Sequence, residues 1–478
     1  MAKMALKFYV RRQICTFAMG FGFAVSATQS GGAQTQNVAQ QKMAQSILNF
    51  CNGGGQNQLS ASGPQGNLAQ ILCNGLAGQG GAGASFNLSA AQTNAALEQL
   101  NGGAELLVPV SQPSLLENTQ PSEQTGVVEA RLSRQREWML ASAAADREFP
   151  RTGQVAALNP QDSDGLIHLA QNQAPEFAYS TGRFGAFATG LGQFGSKDLT
   201  TSENGYSFNN AGFVAGADYR ITPRLVAGLA FGYTRTNTSF DTSAVSAPGQ
   251  FLHDNSFTGN IYATAAFTDA LYMNAIALVG GGNTNSRRRI VIPNNNPMNN
   301  GLQSVDQTAT GSFSTQTQGV NVSSGYILPF GPLVVTPIVR FSYQHTGVDG
   351  FSENAPSVNL RYNSSSINTV LSSLGVDAQY TMSTSFGLLY PMARAHWWHQ
   401  FSPGNTSVPL AYVNDGTANV LSNLILPGTP TSRNYADLGV GVGVQLSRNG
   451  SAFINYDSIL GISHTTYNSF IGGVRFTF

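Results

Sequence analysis

The last nine residues of the chain alternate between large apolar side chains and small or polar ones. The even-numbered positions are apolar or glycine: Phe470, Gly472, Val474, Phe476 and Phe478. Apart from Ile471, the odd-numbered positions carry small or polar side chains. Because successive side chains of a strand point to opposite faces, this pattern predicts a strand with one apolar and one polar face. A transmembrane β-barrel requires such strands, with lipid outside and water inside, and a soluble edge strand is the alternative.

The low charge of the chain favours the membrane alternative. Charged residues make up 10% of the 478 residues, against about 25% in ordinary soluble domains. The formal net charge is zero, so no nucleic-acid partner is expected. No run of about 20 apolar residues occurs, and a membrane-spanning helix is therefore not predicted. Since only helices and closed barrels satisfy their backbone groups in lipid, the sequence predicts an antiparallel, all-β transmembrane barrel.

Residues 1–33 have the order of features found in a secretory signal peptide. Basic residues precede the short apolar stretch Cys15–Ala27, and small residues follow it. Cleavage is expected after Ala27 or after Ala33. The Arg11-Arg12 pair is a feature of twin-arginine export, but a barrel must cross the inner membrane unfolded, which favours the general secretory route.

Three cysteines are present, and Cys15 belongs to the predicted signal. Cys51 and Cys73 remain, which fits an oxidising compartment and one disulfide. In the chain-entropy model a loop of this length is worth about 3 kcal/mol. Two free buried thiols are the alternative.

Residues 34–125 are rich in small residues and predict a short helical region. Gln41–Cys51 and Asn67–Cys73 both run into Cys-Asn-Gly, and glycine just past a helix end accepts the left-handed backbone found there. A third helix is predicted from Ser89 to Asn101, because Ser89-Ala-Ala-Gln92 is a capping-box pattern. The pattern thus predicts three helices separated by Gly, Gln and Asn tracts.

Residues 126–179 are predicted to link this region to the strands. An amphipathic helix is expected from about Gly126 to Glu148, with apolar side chains that include Leu132 and Trp138. After Pro150 the chain becomes polar up to about residue 178.

From residue 180 to 478 the hydrophobic pattern has a period of two. The sequence predicts twelve strands, centred near residues 188, 213, 230, 261, 277, 318, 339, 374, 394, 440, 455 and 472. Short connections at 220–224, 268–270, 329–332, 382–386 and 448–451 alternate with long ones at roughly 196–206, 239–254, 285–308, 346–366 and 403–432, and a moderate one lies near 460–466. Outer-membrane barrels have short periplasmic turns and longer outer loops, so the alternation predicts a twelve-stranded barrel of that kind.

The inward face of these strands carries charges of both signs. Six residues are candidates for ion pairs in the lumen: Arg340, Arg394, Arg475, Asp218, Asp437 and Asp457. Such pairs would stabilise a plug or tune conductance, and both alternatives stay open. His396 and His399 fall on opposite faces of one strand, which argues against a shared metal site. Arg287-Arg-Arg289 lies in the third long loop, where an ordinary solvated loop is favoured over contact with lipopolysaccharide or a glycan.

The region before the barrel lacks the side chains that catalysis needs. Between Lys42 and Glu98 there is no Asp, Glu, Lys, Arg or His, and the first His in the chain is His168. General acid–base catalysis requires a titratable group, and a serine nucleophile requires a base. We therefore expect no catalytic residue, no metal site, no cofactor and no enzymatic activity.

Several stretches resemble the C-terminal translocator domain of the autotransporter family, the type V secretion system. They are Phe184-Gly-Ala-Phe187, Phe213–Tyr219 with Leu225–Tyr233, Asp349–Glu353, Leu371–Gly375, Pro391–Arg394 with Trp397–Phe401, Tyr456-Asp457 and the final Phe478. Their order along residues 180–478 matches the family. Gln400 stands where the family usually has Glu, so a role for that carboxylate is not carried over.

The resemblance implies an outer-membrane protein that exports or displays its own N-terminal segment. The barrel-assembly machinery, which reads the last strand, would recognise Gly473, Phe476 and Phe478. The helix at 126–148 would thread the lumen, and the uncut residues 34–125 would be a non-enzymatic, adhesin-like surface region. Implied partners are outer-membrane lipid and lipopolysaccharide, periplasmic chaperones and a host or surface ligand of unknown identity, with a monomeric barrel. The alternative is a pore or scaffold whose N-terminal region stays in the lumen or periplasm.

Overall fold

Twelve long antiparallel strands form a closed barrel in the part of the chain that the computed structural model describes. Each pairs with the next long strand along the chain, and the ring closes where β1 pairs with β18. The strands are β1 (Phe184–Lys197), β2 (Tyr206–Thr222), β3 (Leu225–Phe240), β4 (Phe251–Ala266), β5 (Leu271–Ile292), β6 (Val305–Tyr326), β8 (Leu333–Val348), β11 (Ser365–Tyr380), β13 (Gly387–Gln400), β16 (Asn434–Gln445), β17 (Gly450–Leu460) and β18 (Thr465–Thr477). Every predicted strand centre lies inside one of them, which confirms the predicted fold class.

The structure describes residues 38–78, 85–101, 183–198, 200, 205–241, 249–298, 301–402, 407–415, 424–427, 432–445 and 450–478. The predicted signal peptide and the predicted linker at 126–179 lie outside these residues. Within them, no helix is both long and apolar enough to cross a membrane.

The period-two pattern places apolar side chains on the outside of the barrel. On β18, Phe470, Val474 and Phe476 are each 44–51% exposed, and Phe478 beyond the strand is 67% exposed. Ile471, on the other parity, is buried in the lumen. The same alternation holds on β5, where Val279 is exposed and its inward neighbour Leu278 is buried. The outer face therefore has the apolar surface that lipid requires.

Six small strands complete the described sheets. β7 (Leu328–Phe330) and β12 (Met382–Thr384) extend two of the short turns. β9 (Phe351–Ser352), β10 (Leu360–Tyr362), β14 (Ser407–Tyr412) and β15 (Leu424–Pro427) form a separate four-stranded sheet in the order β15-β14-β10-β9. The segments of this sheet belong to two of the long connections, and the sheet lies at the same end of the barrel as the long loops. We call this the loop end and the opposite end the turn end.

β5 and β6 extend far beyond the other strands at the loop end. Each has 22 residues, whereas a membrane-spanning strand needs about 9–11. Residues 285–292, predicted as part of a loop, are strand and pair with β6 in register. That part of the prediction was wrong because a strand that lies outside the lipid needs no apolar face. Polar residues such as Asn285 and Ser286 are therefore compatible with a paired strand as well as with a loop.

Three helices precede the barrel, and we call residues 38–78 and 85–101 the helical unit. α1 is Val38–Asn52, α2 is Pro64–Ala69 and continues as a π-helical segment Gln70–Leu76, and α3 is Ala90–Asn101; a 3-10 turn spans Gly55–Gln58. The second helical segment does not end at Cys73-Asn-Gly75, contrary to the prediction. Gly75 lies inside the π-helical segment beneath Phe86, where a Cβ atom would collide with the ring. Close packing, and not a helix stop, explains that glycine.

Cys51 and Cys73 form a disulfide, with their Cα atoms 5.3 Å apart, which confirms the predicted pairing. It joins α1 to the π-helical segment. Both cysteines are buried in a core with Met43, Phe50 and Leu72. This core continues without interruption into buried apolar residues at the loop end, which include Ile290, Val348, Val358, Leu360 and Tyr362.

Candidate functional site

Buried apolar side chains of the lumen form a cluster on one part of its wall, and ionisable side chains are most frequent on another part. The apolar cluster lies on β18 and β1 to β5 and consists of Phe187, Leu191, Val214, Ala230, Tyr262, Ile276 and Ile471. Buried polar side chains such as Gln193, Asn210 and Thr264 lie on the same strands. Charged and titratable groups concentrate on β8, β11, β13, β16 and β17.

Arg394 and Asp457 form an ion pair that spans three strands. The two residues lie on β13 and β17, and both are aligned with Gly439 on the intervening strand β16. Arg394 Nη2 is 2.5 Å from Asp457 Oδ2. A Cβ atom at Gly439 would collide with both side chains, so glycine leaves the space through which they meet.

Arg475 and Asp218 are also brought together, across the seam where β18 pairs with β1. Arg475 Nη2 on β18 is 3.7 Å from Asp218 Oδ1 on β2, and Gly185 of β1 lies between them. Tyr262 donates its hydroxyl hydrogen to Asp218 Oδ2 at 3.2 Å. Four of the six predicted lumen residues therefore form two cross-strand pairs.

The other two lumen candidates have different neighbours. Asp437 Oδ2 is 3.9 Å from His396 Nδ1, while His396 Nε2 is 2.9 Å from Asp377 Oδ1. The Arg340 guanidinium lies 5.3 Å from the centroid of the Trp398 ring, which is a cation–π contact. Sequence reasoning missed His396 and Asp377 as members of this network. Their inward parity on β13 and β11 was the available signal.

The predicted assembly residues lie along the seam between β18 and β1. Gly473 is opposite Thr189, and Phe476 is opposite Ala186. Phe478 donates its backbone N–H to the Phe184 carbonyl oxygen at 2.8 Å. The side chains of Phe476 and Phe478 point outward, on the surface that lipid would contact.

The last helix of the helical unit is built as the sequence predicts. Gln92 donates its backbone N–H to Ser89 Oγ at 3.3 Å, and Ser89 donates its own to Gln92 Oε1 at 2.9 Å. This reciprocal pair is the predicted capping box. Gln92 Oε1 also accepts a hydrogen bond from Asn295 Nδ2, in the loop after β5, at 2.7 Å. The start of α3 is therefore tied to the barrel as well as to itself.

The C-terminal end of α3 packs on a buried arginine of β5. Arg288 is completely buried and donates from Nη1 to the Gln99 carbonyl oxygen at 2.6 Å. It also donates from Nε to Glu353 Oε1 at 3.1 Å and from Nη2 to Glu353 Oε2 and the Val358 carbonyl oxygen. The expectation of a solvated basic loop was wrong for this residue. Only its neighbours face outward, with Arg289 paired to Asp306 on the surface.

Tyr412 provides a second contact to the same helix end. Its hydroxyl donates to the Leu100 carbonyl oxygen at 2.9 Å, and the side chain is buried. The last carbonyls of a helix have no partner within the helix, and a cation near them is favourable. We call Arg288, Glu353 and Tyr412, with the carbonyls of Gln99 and Leu100, the Arg288 cluster.

The surroundings of the cluster fix its charge state. Burial alone would lower the pKa of the Arg288 guanidinium, but the Glu353 carboxylate outweighs this and raises it. Burial raises the pKa of the Tyr412 hydroxyl above its usual value. Arg288 is therefore a permanent cation, and Tyr412 remains a hydrogen-bond donor well into alkaline solution.

The helical unit ends at one end of the barrel, and the first strand begins at the other end. Asn101, the last described residue of α3, follows the Arg288 cluster at the loop end. Phe184, the first residue of β1, pairs with Tyr219 next to a short turn at the turn end. Any path of the chain from residue 101 to residue 184 must therefore connect the two ends.

Comparisons with known proteins agree on the barrel. A family model described as the autotransporter beta-domain matches residues 186–457. Two extracellular serine proteases of Serratia marcescens are each 24% identical over 294 residues, which is 62% of this chain and 26% of each protease. The chain thus spans about a quarter of the length of these curated relatives.

Two solved structures are similar in fold. The translocator domain of the autotransporter NalP from Neisseria meningitidis has 13% sequence identity and a TM-score of 0.48, and the match covers 66% of this chain and 96% of that domain. The beta domain of the Bordetella autotransporter BrkA has 16% identity and a TM-score of 0.44, and the match covers 62% of this chain and all of that domain.

Proposed function

This chain belongs to the autotransporter family, and we propose that its barrel carries residues 34–125 to the cell surface and displays them there. Barrels of this family sit in the bacterial outer membrane, where the general barrel-assembly machinery inserts them. In outer-membrane barrels the short turns face the periplasm and the long loops face outward. The helical unit, at the loop end, then lies outside the cell.

One observation carries this proposal: the chain is at the loop end at Asn101 and at the turn end at Phe184. A chain that joins these points passes either through the lumen or around the barrel through lipid. Residues 102–183 are too polar for the second route, since exposed backbone groups in lipid are costly. The lumen is therefore the proposed path.

The lumen walls support the predicted linker helix as the occupant. The helix proposed at 126–148 carries apolar residues such as Leu132 and Trp138 and basic residues such as Arg131 and Arg134. The lumen offers partners for both kinds of side chain, an apolar cluster on β18 and β1 to β5 and the carboxylates of Asp377, Asp437 and Asp457.

We propose a surface or adhesive role, without catalysis, for the displayed unit. The Serratia relatives are proteases, but the helical unit offers only Lys42 and Glu98 as charged side chains. Glu98 is buried and accepts a hydrogen bond from Gln40, so it is not available to a substrate. Periplasmic chaperones and lipopolysaccharide are proposed partners, together with a surface ligand of unknown chemistry, and the barrel is proposed to be monomeric.

An epitope tag inserted near Gly80 tests the proposal in intact cells. In the sequence this position lies between the π-helical segment and α3. We expect antibody labelling and protease removal of the tag in intact cells. A second tag at residues 446–449, the short connection between β16 and β17, is the matched control, because a periplasmic connection should react only after the outer membrane is permeabilised.

The two tags separate the alternatives. If the Gly80 tag reacts only after permeabilisation, the helical unit is periplasmic or lumenal, and a pore or scaffold function replaces display. If both tags react on intact cells, the assumed orientation or membrane integrity is at fault, and the experiment contradicts the assignment of the loop end to the outside.

A further inference from the structure

We propose that the Arg288 cluster holds the helical unit on the loop end of the barrel through non-covalent contacts, so that the unit stays bound even when the connecting chain is cut. The inference adds a retention mechanism to the proposed function. It predicts a displayed domain that is kept on the cell even after proteolysis, and that is not shed from it.

The contacts at the C-terminal end of α3 are hydrogen bonds that can hold the helical unit without a covalent link. The cation of Arg288 and the hydroxyl of Tyr412 each satisfy one carbonyl oxygen at the C-terminal end of α3. Hydrogen bonds to a charged donor are the stronger class, and both partners here are shielded from water. Backbone carbonyls are the acceptors, so recognition depends on where the helix ends and little on its side chains.

Glu353 prepares the arginine before the helix binds. Its carboxylate accepts hydrogen bonds from Nε and Nη2 of Arg288 and from the backbone N–H of Leu360. Both charges belong to the barrel, on β5 and after β9, so their pairing does not require the helical unit. The guanidinium is then fixed with Nη1 directed at the position that the Gln99 carbonyl oxygen takes.

Additional polar contacts surround the cluster and orient the unit. Val291 donates its backbone N–H to Gln99 Oε1 at 2.6 Å, and Asn295 donates its backbone N–H to the Phe86 carbonyl oxygen at 2.8 Å. Asn296 Nδ2 donates to the Ser85 carbonyl oxygen at 2.9 Å. Together with the shared apolar core, these bonds make the loop end of β5 a continuous binding surface for this unit.

The test uses the full chain with a specific protease site inserted between Thr119 and Gln120. The protein is purified in detergent, cleaved, and separated by size-exclusion chromatography, and the fraction of the helical unit that co-elutes with the barrel is followed with time. We expect the unit to remain with the wild-type barrel. Arg288→Met should release it about 10- to 100-fold faster, as the loss of one charged hydrogen bond implies.

Arg289→Met is the matched control, because that side chain faces outward on the next residue and contacts only the surface residue Asp306 among the described partners. Glu353→Gln is a second variant that keeps the size of the side chain. The folded state of each barrel is checked by its heat-dependent mobility in electrophoresis. Only variants with a folded barrel are compared.

Rapid loss of the unit from the cleaved wild-type protein overturns the proposal without any variant. Equal retention by wild type, Arg288→Met and Glu353→Gln overturns the role of the cluster. Because both faces of the barrel are accessible in detergent, these results do not depend on orientation. A failure here is thus distinct from a failure of the surface-display experiment.

Discussion

Arg394 and Asp457 are paired although the strands that carry them, β13 and β17, are not neighbours. The pair crosses β16 at Gly439. Arg475 and Asp218 cross β1 next to Gly185, which is opposite Asp218, whereas Arg475 is opposite Phe187. Each side-chain pair links three strands, whereas the backbone hydrogen bonds of a ladder link two. Both pairs include a residue from the last two strands, so they brace the region next to the seam between β18 and β1.

Removal of one partner from the first pair should be costly. Asp457 is 5% exposed and Arg394 26%, so Asp457→Asn or Arg394→Gln should destabilise the barrel by about 3 kcal/mol. The double variant should lose less stability than the sum of the two single variants, since neither partner of the pair is left as an unpaired charge. Urea unfolding in lipid vesicles measures the free energy of unfolding of the wild type, the single variants and the double variant. Additive losses would show that the two side chains are not coupled.

Gly439→Ala should weaken the same pair without changing a charge. The new Cβ atom would meet Asp457 and Arg394, so the two side chains must separate, and a loss of about 1–3 kcal/mol is expected. Gly443→Ala on the same strand is the control, because its Cβ would lie 3.7 Å from Tyr390 Cβ, an ordinary contact. Similar unfolding curves for the two variants would contradict this account.

The disulfide should stabilise the helical unit and leave the barrel unaffected. Cys51→Ala with Cys73→Ala should lower the stability of the unit by about 2–4 kcal/mol. Protease sensitivity of the unit and heat-dependent mobility of the barrel report the two effects separately. Reductant should reproduce the effect in the wild type and add nothing in the variant. A shift in barrel mobility would speak against this separation.

Alkaline solution should loosen the loop end through Tyr412. Because burial raises the pKa of this hydroxyl, the folded protein keeps a proton that the unfolded chain loses above a pH of about 10. The stabilisation is complete below that pH and is lost as the pH rises toward the folded-state pKa. The thermal midpoint of the helical unit should fall between pH 9 and pH 11, and fall less in Tyr412→Phe. Parallel decreases in both proteins would exclude Tyr412 as the cause.

Phe478→Ser should reduce assembly of the barrel several-fold if the last strand is the recognition signal. Phe386→Ser is the control, since Phe386 is comparably exposed at 59% in a turn at the same end. The heat-modifiable fraction in isolated outer membranes measures assembly. Equal losses in both variants would attribute the effect to lost apolar surface.

The sequence predicts the barrel well because its pattern is local. Alternation along each strand is visible within a few residues, and it places even Arg394 and Asp457 on the correct face. The burial of Arg288 could not be read in this way. Its partner Glu353 is 65 positions away, and Gln99 is 189 positions away. Within the sequence alone, Arg287-Arg-Arg289 has the appearance of a solvated basic run.

The seam between β1 and β18 also governs how the barrel can form. Across it, Ser196 and Thr466 meet although they lie 270 positions apart in the chain. Contacts of such long range form late, and until they form both β1 and β18 are unpaired edges open to other chains. The risk of aggregation therefore depends on how long the barrel stays open. Before the ring closes, a molecule can aggregate through these edges, and the stability of the closed barrel does not prevent this.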